Sequence, residues 1–172
     1  MSLMTKIIAL ANDSTPTNME LFYSDGGSFD GPVSLSSFTA NAKTAMIARM
    51  ERVYLAQGSV YKYVDLTDET PSELDWDAGP GSTLPESANI GCQYRGRCVL
   101  AGDPSAPNVW YMSRQGDFTD WNYTKTDAQA AVYGSGSIAG NAGGVITSLI
   151  PFSDDYLVIG CSNMVNILKG TQ

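Results

Sequence analysis

The chain repeats itself, and that constrains its fold more than any other feature. Gly91 to Trp121 begins with a short apolar segment holding Cys92 and Tyr94, a turn Arg95-Gly96-Arg97, and a second apolar segment Cys98-Val99-Leu100-Ala101. A Gly-Asp-Pro turn, an aromatic run Val109-Trp110-Tyr111-Met112 and a closing Asp120-Trp121 complete the stretch. A shift of 45 residues lays Arg52 under Arg97, Leu55-Ala56 under Leu100-Ala101, and Asp75-Trp76 under Asp120-Trp121. A second such shift lays Leu10-Ala11 under Leu55-Ala56 and Asp30 under Asp75. Downstream, Tyr156 to Gly160 follows the turn Ser153-Asp154-Asp155, with Ile159 standing 59 residues after Leu100. The approximate units are 6–38, 45–77, 88–123 and 145–170, within one repeat domain over 4–172, and a Gly/Ala-rich insertion fills 124–144.

Each unit offers about four short apolar runs separated by turn formers such as Asn-Asp-Ser-Thr-Pro after Ala11 and Asp25-Gly26-Gly27. A sheet that small cannot bury both faces alone, so neighbouring units must stack to share a core. A spacing of roughly 40 to 45 residues with four strands per unit is the pattern of a β-propeller blade. The expected fold is therefore all-β: a propeller-like array of about four short antiparallel blades, incomplete as a ring on its own. The first unit begins at what the phase makes a second strand, and the last stops after a third. In this array Leu10, Leu55, Leu100 and Ile159 are equivalent buried strand residues. Trp76 and Trp121 pack between adjacent blades, each preceded by an aspartate that accepts backbone N–H bonds at a turn.

Two stretches read ambiguously. The alanines of 39–50 favour helix, but the repeat phase places 45–50 under the opening strand of the next unit, and strand is expected there. Residues 127–132 have the composition of a single helical turn inside the insertion.

Composition narrows the chemistry. Lys and Arg number ten against 18 Asp and Glu, for a formal net charge of −8, and the basic residues are scattered. A sequence-specific nucleic-acid binder would show a basic patch instead. With no histidine, His-based triads, proton shuttles and zinc sites are excluded. Cys92, Cys98 and Cys161 form no Cys-x-x-Cys and read as small buried apolar residues. No apolar run approaches a membrane span, and no signal peptide is visible. The many aspartates, Asp75, Asp77, Asp117, Asp120, Asp154 and Asp155, lie in turns rather than as a paired acid and base. No catalytic residue, cofactor or metal is expected, and the chain is read as non-enzymatic.

The string Tyr94 to Gly102, then Val109-Trp-Tyr-Met-Ser113, Gly116-Asp117 and Asp120-Trp121, resembles repeats in tailed-bacteriophage structural proteins. Ser148-Leu-Ile-Pro-Phe152 leading into Tyr156 to Gly160 is similar to the blade that commonly follows in those proteins. The likeness spans roughly 45–170 and, more loosely, 6–38. It departs at Asp154-Asp155, where a basic turn is common, and at Gly31, where a tryptophan would fall. The resemblance implies a virion protein of the head–tail junction or tail, assembled in the host cytoplasm. Its partners would be other virion proteins, further copies of itself, or the rest of a longer chain. An acidic wall also suits a conduit that passes DNA without holding it. Ser24 to Phe29 and Ser113 to Phe118 resemble degenerate Asp-boxes of sialidase-type propellers, which are themselves structural turns. The alternative function is a carbohydrate- or host-receptor-binding propeller module, with Trp110, Tyr111, Trp121 and Tyr123 as stacking platforms for sugar rings.

Overall fold

The computed structural model describes residues 7–12, 14, 17–24, 27–134 and 142–170. Among them there is no helix; the strands form four antiparallel sheets, none of them closed. The first sheet has the order β1 (Ile7–Asn12), β2 (Met19–Ser24), β3 (Asp30–Leu35). The second runs β4 (Ala45–Arg49), β5 (Arg52–Gln57), β6 (Val60–Asp65), β7 (Glu73–Asp75). The third runs β8 (Ile90–Tyr94), β9 (Arg97–Ala101), β10 (Trp110–Met112), β11 (Val132–Tyr133). The fourth is β12 (Ile146–Pro151), β13 (Tyr156–Cys161), β14 (Val165–Lys169).

Turn chemistry sets the hairpins. Arg95 and Gly96 have φ of 50° and 71°, so the two-residue link from β8 to β9 has both central residues left-handed, as a type I′ turn requires. Gly58, at φ 62°, opens the equally tight link from β5 to β6. The registers that follow are simple: Tyr94 faces Arg97, and Gln57 faces Val60.

Burial along the strands shows how the sheets stack. β5 is buried at Val53, Tyr54, Leu55 and Ala56, and β9 at Cys98, Val99, Leu100 and Ala101. Successive strand residues point to opposite faces, so four buried in a row means both faces are covered. β14 instead alternates exposed and partly buried positions, with one face covered. Three cores result, each shared by consecutive sheets. Leu21, Leu35 and Phe38 meet Val53, Leu55 and Val64 between the first and second. Ile47, Tyr54 and Trp76 meet Leu100, Phe118 and Trp121 between the second and third. Val99, Trp110 and Met112 meet Leu149, Leu157 and Ile159 between the third and fourth. Gly91 permits the close approach of β4 to β8: a Cβ there would stand 2.7 Å from Ile47 Cδ1 and 3.2 Å from Ala45 Cβ.

Leu55, Leu100 and Ile159 each lie on the second strand of their sheet and point to the sheet before. Leu10 departs from that set. It is only partly buried and faces the second sheet, the one after its own. A one-residue offset in a strand of period two inverts the face, and the 45-residue alignment is off by such a step in the first unit. Residues 45–49 form a strand, as the phase required, and 39–44 lead into it through a turn at 40–41 with no helix. Residues 127–131 make a turn rather than a helix, closed by the Ala130 N–H donating to the Asp127 carbonyl. The insertion also holds β11, which completes the third sheet at Tyr111 and Met112. Its residues 135–141 lie outside the described ones.

Candidate binding surfaces

The aromatic platform expected for sugars is largely consumed by packing. Trp110, opposite Ala101 in the register of β10 with β9, is buried in the core between the third and fourth sheets. Trp121 is fully buried in the core before it. A stacking platform needs an open ring face, which neither offers. Tyr111, one residue on from Trp110, points to the opposite face and is half-buried. Its ring lies 6.5 Å from that of Tyr123 and 6.3 Å from that of Tyr133, with Tyr123 and Tyr133 edge to face at 5.1 Å. The hydroxyls of Tyr123 and Tyr61 are buried without a hydrogen-bond partner among the described residues. Burial first, then the neighbouring Tyr111 for Tyr123 and Asp103 for Tyr61, raises both phenols well above their ordinary range. Both remain neutral phenols. Tyr133 is the exposed ring of this group, and only its pairing to β10 reveals it.

The two Asp-Trp pairs converge rather than serving successive interfaces. Trp76 follows β7, and its backbone N–H donates to the Tyr61 carbonyl at 3.2 Å. Its indole Nε1 donates to the carbonyl of Phe118 at 2.9 Å, and Trp121 Nε1 donates to the same oxygen at 2.8 Å. Tyr54 packs edge-on against Trp76 at 4.9 Å, and the Arg49 guanidinium sits 4.7 Å over the Phe118 ring. Residues 113–131 leave the third sheet between β10 and β11 and fold back over the second. That return carries Phe118 and Trp121 into the same core as Trp76, which spacing alone could not show. The aspartates diverge too. Asp120 accepts the Asn122 N–H at 3.1 Å and pairs with Lys125, whose hydrogen bond is the main cause holding its carboxyl below the usual range. Asp75 instead forms an ion pair with Lys62 at 2.6 Å.

A cavity of about 160 Å³ opens beside the β8–β9 turn, lined in part by Tyr94, Arg95, Arg97, Gln115 and Leu168. Arg97 holds its floor. It donates to the carbonyls of Ser113 at 2.8 Å, Ala130 at 2.6 Å and Ala128 at 3.1 Å. Burial and then the nearby Arg114 and Arg95 lower its pKa, yet an arginine stays charged. The arrangement reads as a clamp that ties the 113–131 excursion to its sheet.

Asp117 closes a turn, accepting both the N–H and the hydroxyl of Thr119 at 2.8 and 2.7 Å, and Asp103 does the same for Ser105 at 2.9 and 2.7 Å. The cysteines are free, Cys98 buried, and burial pushes the Cys92 thiol up to about 12. Among the described residues, no group of three His, Cys, Asp or Glu side chains could hold a metal ion.

Among the described residues, several exposed large apolar side chains gather on the outer side of the fourth sheet. Strand register aligns Ile150, Val158 and Ile167 across β12, β13 and β14, with Ser148, Gly160 and Val165 in the row beside them. Tyr156 pairs with Lys169 in a third row, next to Phe152. Ile150 is 52% exposed, Phe152 74%, Val165 68% and Ile167 65%. At the other end of the stack, the outer side of the first sheet shows Ile7, Ala9 and Ala11 of β1 beside Phe22 and Glu20 of β2. No protein-family model matches the chain, and no curated protein matches it. The two end sheets are thus the ground for a functional reading.

Proposed function

We propose that the chain is a non-enzymatic assembly module of a tailed-phage particle, placed at the head–tail junction or in the tail, with its four sheets as blades of a propeller-like array. The observation that carries this reading is the outer face of the fourth sheet. Three internal cores show what a sheet face of this chain does: it packs against the next sheet. The fourth sheet offers the same kind of face, Ile150, Val158, Ile167 and Val165, without a cover among the described residues. Apolar rows of that kind mark protein–protein contact. The repeat likeness to phage structural proteins supplies the setting, and the charge of −8 is compatible with a wall beside passing DNA. The sugar-binding alternative draws no support from Trp110 and Trp121, which the cores bury.

The test is cross-linking mass spectrometry on particles purified from a host that expresses the gene. Cross-links from Lys169, on the outer face of β14, to other particle proteins are expected. Particles that form normally without the protein, together with binding on a glycan array, would overturn the reading.

A further inference from the structure

The uncovered face invites a definite partner, and the inference rests on the assembly reading. We infer that the outer face of the fourth sheet docks on the outer face of the first sheet of a second copy of this chain. Two copies joined head to tail at both ends close an eight-sheet ring.

Continuity with the existing interfaces argues for this occupant. Every internal core joins the later-facing side of one sheet to the earlier-facing side of the next. The fourth sheet presents a later-facing side, the first an earlier-facing one, and a second copy supplies each with its complement. Shape is compatible: Ile150, Ile167 and Phe152 are large and protruding, whereas Ala9 and Ala11 leave room beside Ile7 and Phe22. Charge agrees as well. Lys169 stands on the fourth sheet's outer face and Glu20 on the first sheet's.

Area decides between a closed pair and a single contact. A face three strands wide and three outward residues long covers roughly 300 Å², from strand spacing and rise. One contact then buries roughly 600 Å² over both partners, about half of the 1,200 Å² or more that a stable complex needs. Two contacts in a closed pair roughly reach it. A heterologous contact that fails to close would grow as a filament, and three copies would exceed the about eight blades that propellers accommodate.

The experiment measures mass in solution by light scattering on the full chain and two sets of variants. The wild type is expected at twice the chain mass. Ile167→Asp, an exposed position, should halve that mass while leaving the far-ultraviolet circular dichroism unchanged. Glu20→Lys and Lys169→Glu should each weaken the dimer, and the double variant should recover it. A wild-type monomer at all attainable concentrations would overturn the inference, as would a dimer indifferent to Ile167→Asp or a mass that rises without limit. The monomer outcome leaves the assembly reading to its own test, since another particle protein could then cover the face.

Discussion

The interface between the second and third sheets and the outer face of the fourth sheet begin from similar strand chemistry and end differently. In the interface, Tyr54 and Ile47 are covered by Leu100, Phe118 and Trp121, and an irregular excursion, residues 113–131, completes the cover. On the outer face, Ile150, Val158 and Ile167 line up in register, and none of the described residues covers Ile150 or Ile167. The contrast shows that strand sequence makes a face apolar, while burial depends on which segment returns to close it. A sheet of this chain is a half-interface until its neighbour arrives.

The largest expected effect sits in the covered region. Trp121→Ala should cost about 3 to 5 kcal/mol, from the cavity left by an indole, measured by chemical unfolding. Ile167→Ala, under dilution that keeps copies apart, should change stability by no more than about 0.5 kcal/mol. Equal losses would erase the distinction between the two faces. Leu100→Ala should cost about 2 to 5 kcal/mol, and Leu10→Ala clearly less because that side chain is only partly buried. A loss below about 1 kcal/mol at Leu100 would place it at the surface, contrary to the cores described.

Smaller effects sharpen the account of the excursion. Arg97→Met leaves the carbonyls of Ser113, Ala128 and Ala130 without their donor and should cost about 1 to 3 kcal/mol. Asp120 has a folded pKa below its ordinary 3.8, set first by Lys125 and then by the Asn122 N–H. Its contribution is therefore present above that ordinary value and is lost as pH falls below it toward the folded value. Melting temperatures recorded through that acid range should fall less steeply for Asp120→Asn than for the parent chain. Trp76→Phe should cost about 1 to 2 kcal/mol, for the lost hydrogen bond and the smaller ring at a buried site, since Trp121 still satisfies the Phe118 carbonyl.

Much of the strand layout was legible because turn formers and alternation act locally. The Arg95-Gly96 turn announces its hairpin, and β13 lies where the apolar run from Tyr156 to Gly160 puts it. The repeat offset also resolved 45–49 as strand against the helical leaning of its alanines. What resisted reading was non-local. Trp121 shares a core with Trp76 because a long excursion returns across a sheet, and no spacing rule encodes that path. Leu10 failed because a single-residue shift in alignment reverses a strand's faces while leaving composition untouched. The exposed rows of the fourth sheet escaped notice for a related reason: Ile150 and Ile167 look like core residues until the missing cover is seen.

The Phe118 carbonyl, shared by two indoles, has a dynamic consequence. The Trp121 bond stays within the excursion, while the Trp76 bond reaches across from the second sheet's edge, so that bond and the core around it tie the two segments together. Amide exchange at β7 and at residues 113–131 should accordingly slow and quicken together, as one cooperative opening event.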